Sequence, residues 1–132
     1  MDCLFCKIIA GEIPSKKVFE DDQIFAFLDI QPWSQGHTLI VPKRHAKDIH
    51  DIDESDLQQI IIVAKQLATK YNVALGADGY NLHQSNGAAA QQEVFHFHMH
   101  LIPRYADDAM KIKAENVNVQ DDLDTVLSLI NS

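Results

Sequence analysis

The sequence predicts an α+β fold in which an antiparallel five-stranded sheet is combined with one long helix and short helices near both ends of the chain. Three observations support this: strand-like segments follow one another through short links, one long segment has helical periodicity, and no repeat or linker divides the chain. A length of 132 residues is typical of one domain. We therefore expect a single domain over 1–132, with a core over 1–103 and a variable C-terminal tail with a helix over 104–132.

The first half of the chain contains a short helix and three strands. Asp2 as N-cap and Gly11 as the residue after the helix predict a helix over Cys3–Ala10. The turn-like pair Asp21-Asp22 separates the first two strands, and a loop over 29–36 precedes the third. These predicted strands are Val18–Glu20, Ile24–Leu28 and Thr38–Val41, the last of which ends at Pro42.

The long helix is predicted to begin at Ser55, because Gln58 three residues later completes a capping box. Apolar residues then recur with the spacing of one helical face, which is expected to cover the sheet: Leu57, Ile60, Ile61, Ala64, Leu67, Ala68 and Tyr71. Two more strands, Tyr80–Gln84 and Phe95–Ile102, are separated by the loop Ser85–Gln92. A last amphipathic helix follows the acidic pair Asp121-Asp122.

Composition narrows the classes of function. Nineteen Asp and Glu against eleven Lys and Arg give a formal net charge of -8, which argues against broad binding to nucleic acid or to an anionic membrane. The densest apolar run, Ile60–Ala64, is far shorter than a membrane span, and the N-terminal segment has no signal-peptide pattern. We expect a cytoplasmic protein that binds neither nucleic acid nor membrane.

Three histidines alternate along the predicted fifth strand. Since side chains on a strand repeat every two residues, His96, His98 and His100 are expected on one face, and the other face is apolar: Phe95, Phe97, Met99 and Leu101. A row of imidazoles can bind a metal, or it can supply a nucleophile or a base near neutral pH. A polar strand face without function is the remaining interpretation.

Two further segments carry chemistry-bearing residues. The loop Ser85–Gln92 is rich in small side chains, so its backbone N–H groups can approach an anion closely, which favours phosphate chemistry. A loop that merely turns the chain is the alternative. Cys3 and Cys6 form a C-x-x-C pair that suits a metal half-site, a redox pair or two reduced thiols.

The segment Gln92-x-Val94-x-His96-x-His98-x-His100-Leu101-Ile102 resembles the signature of the histidine-triad (HIT) nucleotide hydrolases and transferases. The likeness covers most of the chain up to about Arg104. Further segments resemble those of bacterial members: Cys3-x-x-Cys6-Lys7-Ile8-Ile9, Gly11-Glu12-Ile13-Pro14, Phe27-Leu28-Asp29-Ile30, Gly36-His37-Thr38-Leu39 and Pro42-Lys43-Arg44-His45.

This resemblance implies a hydrolase of nucleotide conjugates, with purine nucleoside phosphoramidates or dinucleoside polyphosphates as substrates. His98 would attack the α-phosphorus and form a nucleotidyl-histidine intermediate. The implied catalytic residues are His98, His100, His96 and Gln92, with His100 and Gln92 on the phosphoryl oxygens. The implied nucleotide-binding residues are Asp29 on the ribose, Ile30 and Phe27 near the base, and Ser85, Asn86, Gln92, His98 and His100 around the phosphate.

The resemblance also implies a structural zinc ion held by Cys3, Cys6, His45 and His96, a closed set with no open position. It implies a homodimer with a ten-stranded sheet, and no redox cofactor is expected. A nucleotide-binding regulatory module and a His₃ zinc hydrolase are the alternative functions. The chain departs from the pattern at Ser85, at Glu93 and at Gln91, which stands where many members have glycine.

Overall fold

The computed structural model describes residues 2–112 and 115–132. Five antiparallel strands form one sheet in the order β1-β2-β3-β5-β4, which confirms the predicted fold class. The strands are β1 Lys17–Glu20, β2 Ile24–Leu28, β3 Thr38–Pro42, β4 Gly79–His83 and β5 Met99–Arg104. The helices are α1 Leu4–Ile9, α2 Glu54–Ala74 and α3 Leu123–Ile130, with a 3₁₀ turn at Ala88–Ala90.

The sheet is covered by α2 on one face and by α1 on the other. Along β2, Ile24 and Ala26 belong to the cluster that includes α2, whereas Phe25 and Phe27 belong to the cluster that includes α1. This alternation follows from the two-residue period of a strand, and it confirms the prediction that both faces of β2 are buried. The face covered by α1 also carries the candidate site.

The helix α2 begins at Glu54 rather than Ser55, so the predicted capping box is wrong. Asp53 has the extended backbone of an N-cap, with φ −64° and ψ 141°, while Ser55 is already helical. The Ser55 hydroxyl instead accepts a hydrogen bond from Gln23 Nε2 at 3.1 Å. Most of the predicted apolar face is buried, with Leu57 and Ala68 partly buried and Ile61 47% exposed.

The helix α1 is also capped one residue later than predicted. Cys3 is the N-cap, and its Sγ accepts a hydrogen bond from the backbone N–H of Cys6 at 3.4 Å. Asp2, the predicted cap, pairs with Lys7 at 2.9 Å instead. The capping role places Cys3 and Cys6 side by side at the start of the helix.

The strand β5 begins at Met99, four residues later than predicted. The preceding segment leaves the ladder, because the N–H of Phe97 donates to the carbonyl oxygen of Ala46 at 2.7 Å rather than to β3. Phe95, predicted to lie on the apolar face, is 43% exposed, whereas Phe97 and Leu101 are buried in the core with α2.

The beginning of the C-terminal segment is tied to the sheet by side-chain contacts. Arg104 ends β5 and pairs with Asp108 at 2.6 Å, and the Tyr105 hydroxyl donates to the carbonyl oxygen of Gln35 at 2.7 Å. These contacts hold the segment up to Asp108 against the sheet. The helix α3 has no buried residue. Within the described ranges, no helix has the length and apolar character needed to cross a membrane.

Candidate functional site

His98 is held as a neutral imidazole with one free nitrogen. Its Nδ1 lies 2.8 Å from the carbonyl oxygen of His96, and since a carbonyl only accepts, Nδ1 carries the proton and donates it. The Nε2 atom then keeps its lone pair. Burial lowers the pKa of His98 below its ordinary value of 6.5, so the ring is neutral near pH 7. Such a ring is able to act as a nucleophile.

His100 is set in the opposite tautomer by a chain of two hydrogen bonds. The backbone N–H of Trp33 donates to Nδ1 of the buried His37 at 3.0 Å. His37 therefore carries its proton on Nε2, which donates to Nδ1 of His100 at 2.9 Å. His100 in turn carries its own proton on Nε2. Burial lowers the pKa of His37 and brings that of His100 to about 3, so both rings are neutral at pH 7.

His96 lies at the other end of the row and faces the two cysteines. Its Nε2 donates to the carbonyl oxygen of Pro42 at 2.8 Å, which leaves the lone pair on Nδ1. That Nδ1 lies 3.4 Å from Cys3 Sγ, 3.5 Å from Cys6 Sγ and 3.2 Å from His45 Nδ1. Cys6 Sγ lies 3.4 Å from the same nitrogen of His45.

These four atoms fit a tetrahedral zinc ion. With zinc–sulfur and zinc–nitrogen bonds near 2.3 and 2.05 Å, a tetrahedron has sulfur–nitrogen edges of about 3.6 Å and a nitrogen–nitrogen edge of about 3.3 Å. The distances above agree with those edges within a few tenths of an ångström. The sequence therefore identified a set of residues that the fold does bring together: Cys3, Cys6, His45 and His96.

A zinc site made by the three histidines of the row is not formed. Among the residues described, the groups that converge closely enough to share an ion do not include His96, His98 and His100 together. Asp29, His37 and His100 do converge. In that group, however, Nε2 of His37 and Nδ1 of His100 are joined by a hydrogen bond. This hydrogen bond already explains why the two rings lie close together.

Gln92 holds the loop that precedes the histidine row. Its buried side chain accepts from the N–H of Gly87 at 2.7 Å and donates to the carbonyl oxygens of Lys47 at 2.8 Å and Val94 at 3.0 Å. The amide is thus bonded within the protein, which differs from the expected direct contact with phosphoryl oxygens. Its role in this geometry is to shape the loop.

Two other polar residues of this loop face different neighbours. Asn86 braces the loop, because its Oδ1 accepts from the N–H of Ile49 at 2.7 Å. Ser85 Oγ lies 3.3 Å from Nε2 of His83. Gln91 has a left-handed backbone with φ 67°, a conformation that favours glycine. This explains physically why glycine suits the position at which this chain has glutamine.

The residues expected around the nucleoside lie at the end of β2. Phe27 is buried, and its ring packs edge-on against Phe5 at 5.5 Å. Asp29 accepts a hydrogen bond from the N–H of Gln31, and its other oxygen lies 3.7 Å from Nε2 of His37. Ile30 is 90% exposed. The acidic and apolar side chains thus stand beside the histidine row.

Three aromatic side chains outside the predicted catalytic, nucleotide-binding and metal residues lie in this site: His37, Trp33 and His83. The role of His37 depends on a contact with a residue 63 positions away, and only its place after Gly36 in a recognisable segment pointed to it. Trp33 and His83 carried no motif. Their rings nevertheless lie 5.9 and 5.6 Å from the ring of His100.

A five-stranded antiparallel sheet with a His-x-His-x-His row and a small-residue loop defines the histidine-triad class of proteins. The chain belongs to the HIT family: the family model described as a HIT domain matches residues 10–107. This membership confirms the resemblance expected from the sequence.

Two relatives show the range of names in this family. An uncharacterised HIT-like protein of Methanocaldococcus jannaschii is 47% identical over 129 residues, covering 97% of this chain and 98% of its own length. Adenosine 5′-monophosphoramidase of Saccharomyces cerevisiae is 50% identical over 102 residues, covering 77% of this chain and 62% of its own length. Nucleotide hydrolysis is thus supported at the level of the family.

A solved structure of a zinc-bound relative has the same fold. The zinc-bound histidine-triad family protein of Mycobacterium smegmatis superimposes with a TM-score of 0.81 at 35% identity, covering 87% of this chain and 84% of its own. Its similarity confirms the architecture of the sheet and helices.

Proposed function

We propose that this protein hydrolyses nucleotide conjugates through a covalent intermediate on His98. Nε2 of His98 attacks the α-phosphorus, the bond from phosphorus to the leaving group breaks, and the leaving group takes a proton from solvent as it departs. Water then attacks the same phosphorus, the bond to Nε2 breaks, and a nucleoside monophosphate is released. Dividing one displacement into two lowers the barrier to each step. The substrates are purine nucleoside phosphoramidates or dinucleoside polyphosphates.

The observation that carries this proposal is the hydrogen bond from Nδ1 of His98 to the carbonyl oxygen of His96 at 2.8 Å. It keeps the lone pair on the opposite nitrogen, which is the atom that must attack. It also stabilises the positive charge that the ring acquires when it becomes bonded to phosphorus. The carbonyl oxygen of His96 therefore favours both the attack on phosphorus and the charged intermediate that follows.

The phosphoryl oxygens need donors, and the site supplies two kinds. His100 presents a neutral Nε2–H, because its Nδ1 accepts from His37. In the loop, the backbone N–H groups of Glu93 and Val94 have no protein acceptor within the described part of the chain. Fixed N–H donors of this kind stabilise negative charge that develops on phosphoryl oxygens. Gln92 acts as a positioning residue that holds these donors in place.

In this proposal the nucleoside lies at the end of β2. Asp29, which has a carboxylate oxygen directed toward His37, accepts hydrogen bonds from the ribose hydroxyls. Ile30 and Phe27 pack near the base. The adenosine 5′-monophosphoramidase named among the relatives supports a purine nucleotide as substrate.

Trapping the intermediate tests the proposal. The protein is mixed with adenosine 5′-phosphoramidate, quenched in acid-free denaturant and examined by mass spectrometry, and one adenylyl group is expected on His98. His98→Ala should lose the adduct and nearly all turnover, while His50→Ala, which changes an exposed histidine outside the row, should retain both. Full turnover by His98→Ala would refute the mechanism. Tight AMP binding without turnover in the wild-type protein would instead favour the regulatory binding module.

We also propose that Cys3, Cys6, His45 and His96 bind a structural zinc ion. Four of the distances between the donor atoms agree with the edges of a tetrahedron around zinc, and a relative of 35% identity is described as zinc-bound. With all four positions filled by protein, the ion fastens α1 to the segment that carries the histidine row and takes no substrate.

We propose in addition that two copies pair to join their sheets. The strand β4 lies at the edge of the sheet, and Leu82 on it is 48% exposed. Ile61 and Ile62 on α2 are each 47% exposed, so both the sheet edge and the long helix present exposed apolar side chains. Sedimentation equilibrium should give twice the mass of the chain, and a monomer at micromolar concentration would exclude this arrangement.

A further inference from the structure

Tyr105, the residue after β5, is hydrogen-bonded to the segment that connects β2 to β3. Its hydroxyl donates to the carbonyl oxygen of Gln35 at 2.7 Å. The connecting segment is 29–37, and it also contains Trp33. Among the described residues, no other hydrogen bond joins residues 30–35 to a residue outside this segment. Tyr105 therefore holds the middle of the segment from outside.

The backbone of Tyr105 is itself fixed by Asp108. Its N–H donates to Oδ2 of Asp108 at 2.9 Å, and its carbonyl oxygen accepts from the N–H of Asp108 at 2.9 Å. Arg104 donates to both oxygens of the same carboxylate, at 3.0 and 2.6 Å. The hydrogen bond from Arg104 lowers the pKa of Asp108 to about 2, so the carboxylate is charged at neutral pH. Tyr105 thus presents its hydroxyl from a fixed position at the end of β5.

The two ends of the connecting segment are held without Tyr105. The N–H of Asp29 donates to the carbonyl oxygen of His37 at 2.9 Å, which closes the segment at its base. Gly36 packs so closely against the end of α2 that a Cβ on it would lie 2.5 Å from Cδ1 of Leu75. Loss of the Tyr105 hydrogen bond is therefore expected to release the middle of the segment and to leave its ends in place.

The middle of the segment matters because the backbone N–H of Trp33 determines the protonation of two imidazoles. It donates to Nδ1 of His37, whose Nε2–H then donates to Nδ1 of His100. Without the N–H of Trp33, the same two rings can form the hydrogen bond in the reverse direction, with the proton on Nδ1 of His100. The outer nitrogen of His100 would then be an acceptor, which cannot bind a phosphoryl oxygen.

We propose that Tyr105 is a positioning residue: through Gln35 and Trp33 it holds the pair of histidines in the direction that makes His100 a donor to the phosphoryl oxygens. The catalytic consequence of this inference rests on the proposed function, whereas its effect on the tautomer of His100 does not. A residue beyond the last strand, in the part of the chain that the sequence predicts to be a variable tail, thus contributes to the site.

The test compares Tyr105→Phe with Tyr80→Phe. Tyr80 is a matched control, because its hydroxyl also donates to a backbone carbonyl oxygen, that of Ala68 on α2, at 2.6 Å. In imidazole ¹⁵N spectra at neutral pH, Tyr105→Phe should show His100 in both tautomers, and Tyr80→Phe should show the wild-type tautomer. The signals of His100 are assigned from their absence in His100→Asn. A wild-type tautomer in Tyr105→Phe would overturn the proposal.

Turnover tests the same connection. Tyr105→Phe should lower kcat for adenosine 5′-phosphoramidate by about two- to tenfold, the range of one hydrogen bond, with a smaller change in KM. In a His37→Leu background, where the pair is already lost, the same substitution should have no further effect. Equal fold-losses in the two backgrounds would show that Tyr105 acts by another route. If the wild-type protein cleaves no conjugate, the proposed function fails, and the ¹⁵N spectra still decide whether Tyr105 controls the tautomer.

Fluorescence measures the position of the segment directly, because Trp33 is the only tryptophan in the chain. The side chain of Trp33 is 49% exposed. Its quenching by acrylamide should increase in Tyr105→Phe, where the middle of the segment is released, and should stay as in wild type in Tyr80→Phe. Equal quenching in all three proteins would contradict the proposal, since the segment would then keep its position without Tyr105.

Discussion

Nε2 of His37 lies 2.9 Å from Nδ1 of His100, and this hydrogen bond determines which nitrogen of His100 carries its proton. The direction is set one step earlier, because the backbone N–H of Trp33 can only donate to His37. A backbone amide therefore fixes two imidazoles in succession. The outer nitrogen of His100 becomes a donor without any charge on the ring.

The first prediction concerns His37. His37→Leu removes the donor, so His100 populates both tautomers, and we expect kcat to fall about 10- to 100-fold. His37→Gln places an amide N–H near the same point and should recover much of the loss. Steady-state kinetics and the ¹⁵N shifts of His100 measure the two effects together. If His37→Leu leaves the tautomer of His100 unchanged, the hydrogen bond does not have the role described.

The second prediction is a pH dependence of stability due to His100. Burial brings its folded pKa to about 3, whereas an exposed histidine titrates near 6.5. Between these values the unfolded chain binds a proton that the folded protein does not, so the free energy of unfolding must fall as the pH falls. At about 1.4 kcal/mol per pH unit, the loss between pH 7 and pH 5 is about 2 kcal/mol.

His100→Asn provides the comparison for this prediction, because it keeps an acceptor for His37 and removes the titrating group. Urea unfolding at pH 7 and at pH 5 should show that the wild-type protein loses about 2 kcal/mol more than the variant. Parallel losses in the two proteins would show that His100 is protonated in the folded state at pH 5.

The third prediction concerns the cysteine–histidine cluster. Purified protein should contain about one zinc per chain, and Cys3→Ser should lose most of it because serine is a poor zinc ligand. The variant should unfold at a lower temperature, while brief exposure of the wild-type protein to a chelator should leave turnover intact. Immediate loss of activity on chelation would indicate an open, catalytic ion instead. Metal analysis by mass spectrometry and thermal unfolding provide the measurements.

The fourth prediction concerns Gln91. A residue other than glycine in the left-handed region lowers the free energy of unfolding by about 1–2 kcal/mol. Replacing it by glycine removes this strain, but the greater backbone entropy of glycine in the unfolded chain offsets about 0.5–1 kcal/mol of the gain. Gln91→Gly should therefore raise the free energy of unfolding by about 0.5–1 kcal/mol. Gln91→Ala, which keeps a Cβ, serves as the control and should not stabilise the protein. A destabilised glycine variant would show that the Gln91 side chain makes a compensating contact.

Much of the fold was predictable because its elements have strong local signals. The alternation in β2 and the helical spacing of α2 both come from burial, which leaves a periodic record in the sequence. The start of α2 was misplaced because Ser55 satisfies a capping pattern but binds Gln23 across the fold. Such a long-range hydrogen bond cannot be predicted from the local sequence around Ser55.

The candidate site was predictable in its residues and less so in its geometry. The alternation of the histidines placed them correctly side by side, although His96 and His98 precede β5 rather than belonging to it. The contact between His37 and His100, and the stacking of Trp33, join segments more than sixty residues apart. Only the folded chain shows which nitrogen is protonated in each ring.

His96 takes part in two structures at once. Its ring points Nδ1 into the cysteine cluster, while its carbonyl oxygen receives the proton of His98. The position of the cluster therefore affects where the carbonyl oxygen of His96 lies. The hydrogen bond to that oxygen in turn affects the basicity of the His98 ring. Replacing one of the two cysteines is therefore expected to shift the carbonyl oxygen that faces His98, with no atom beside that ring replaced.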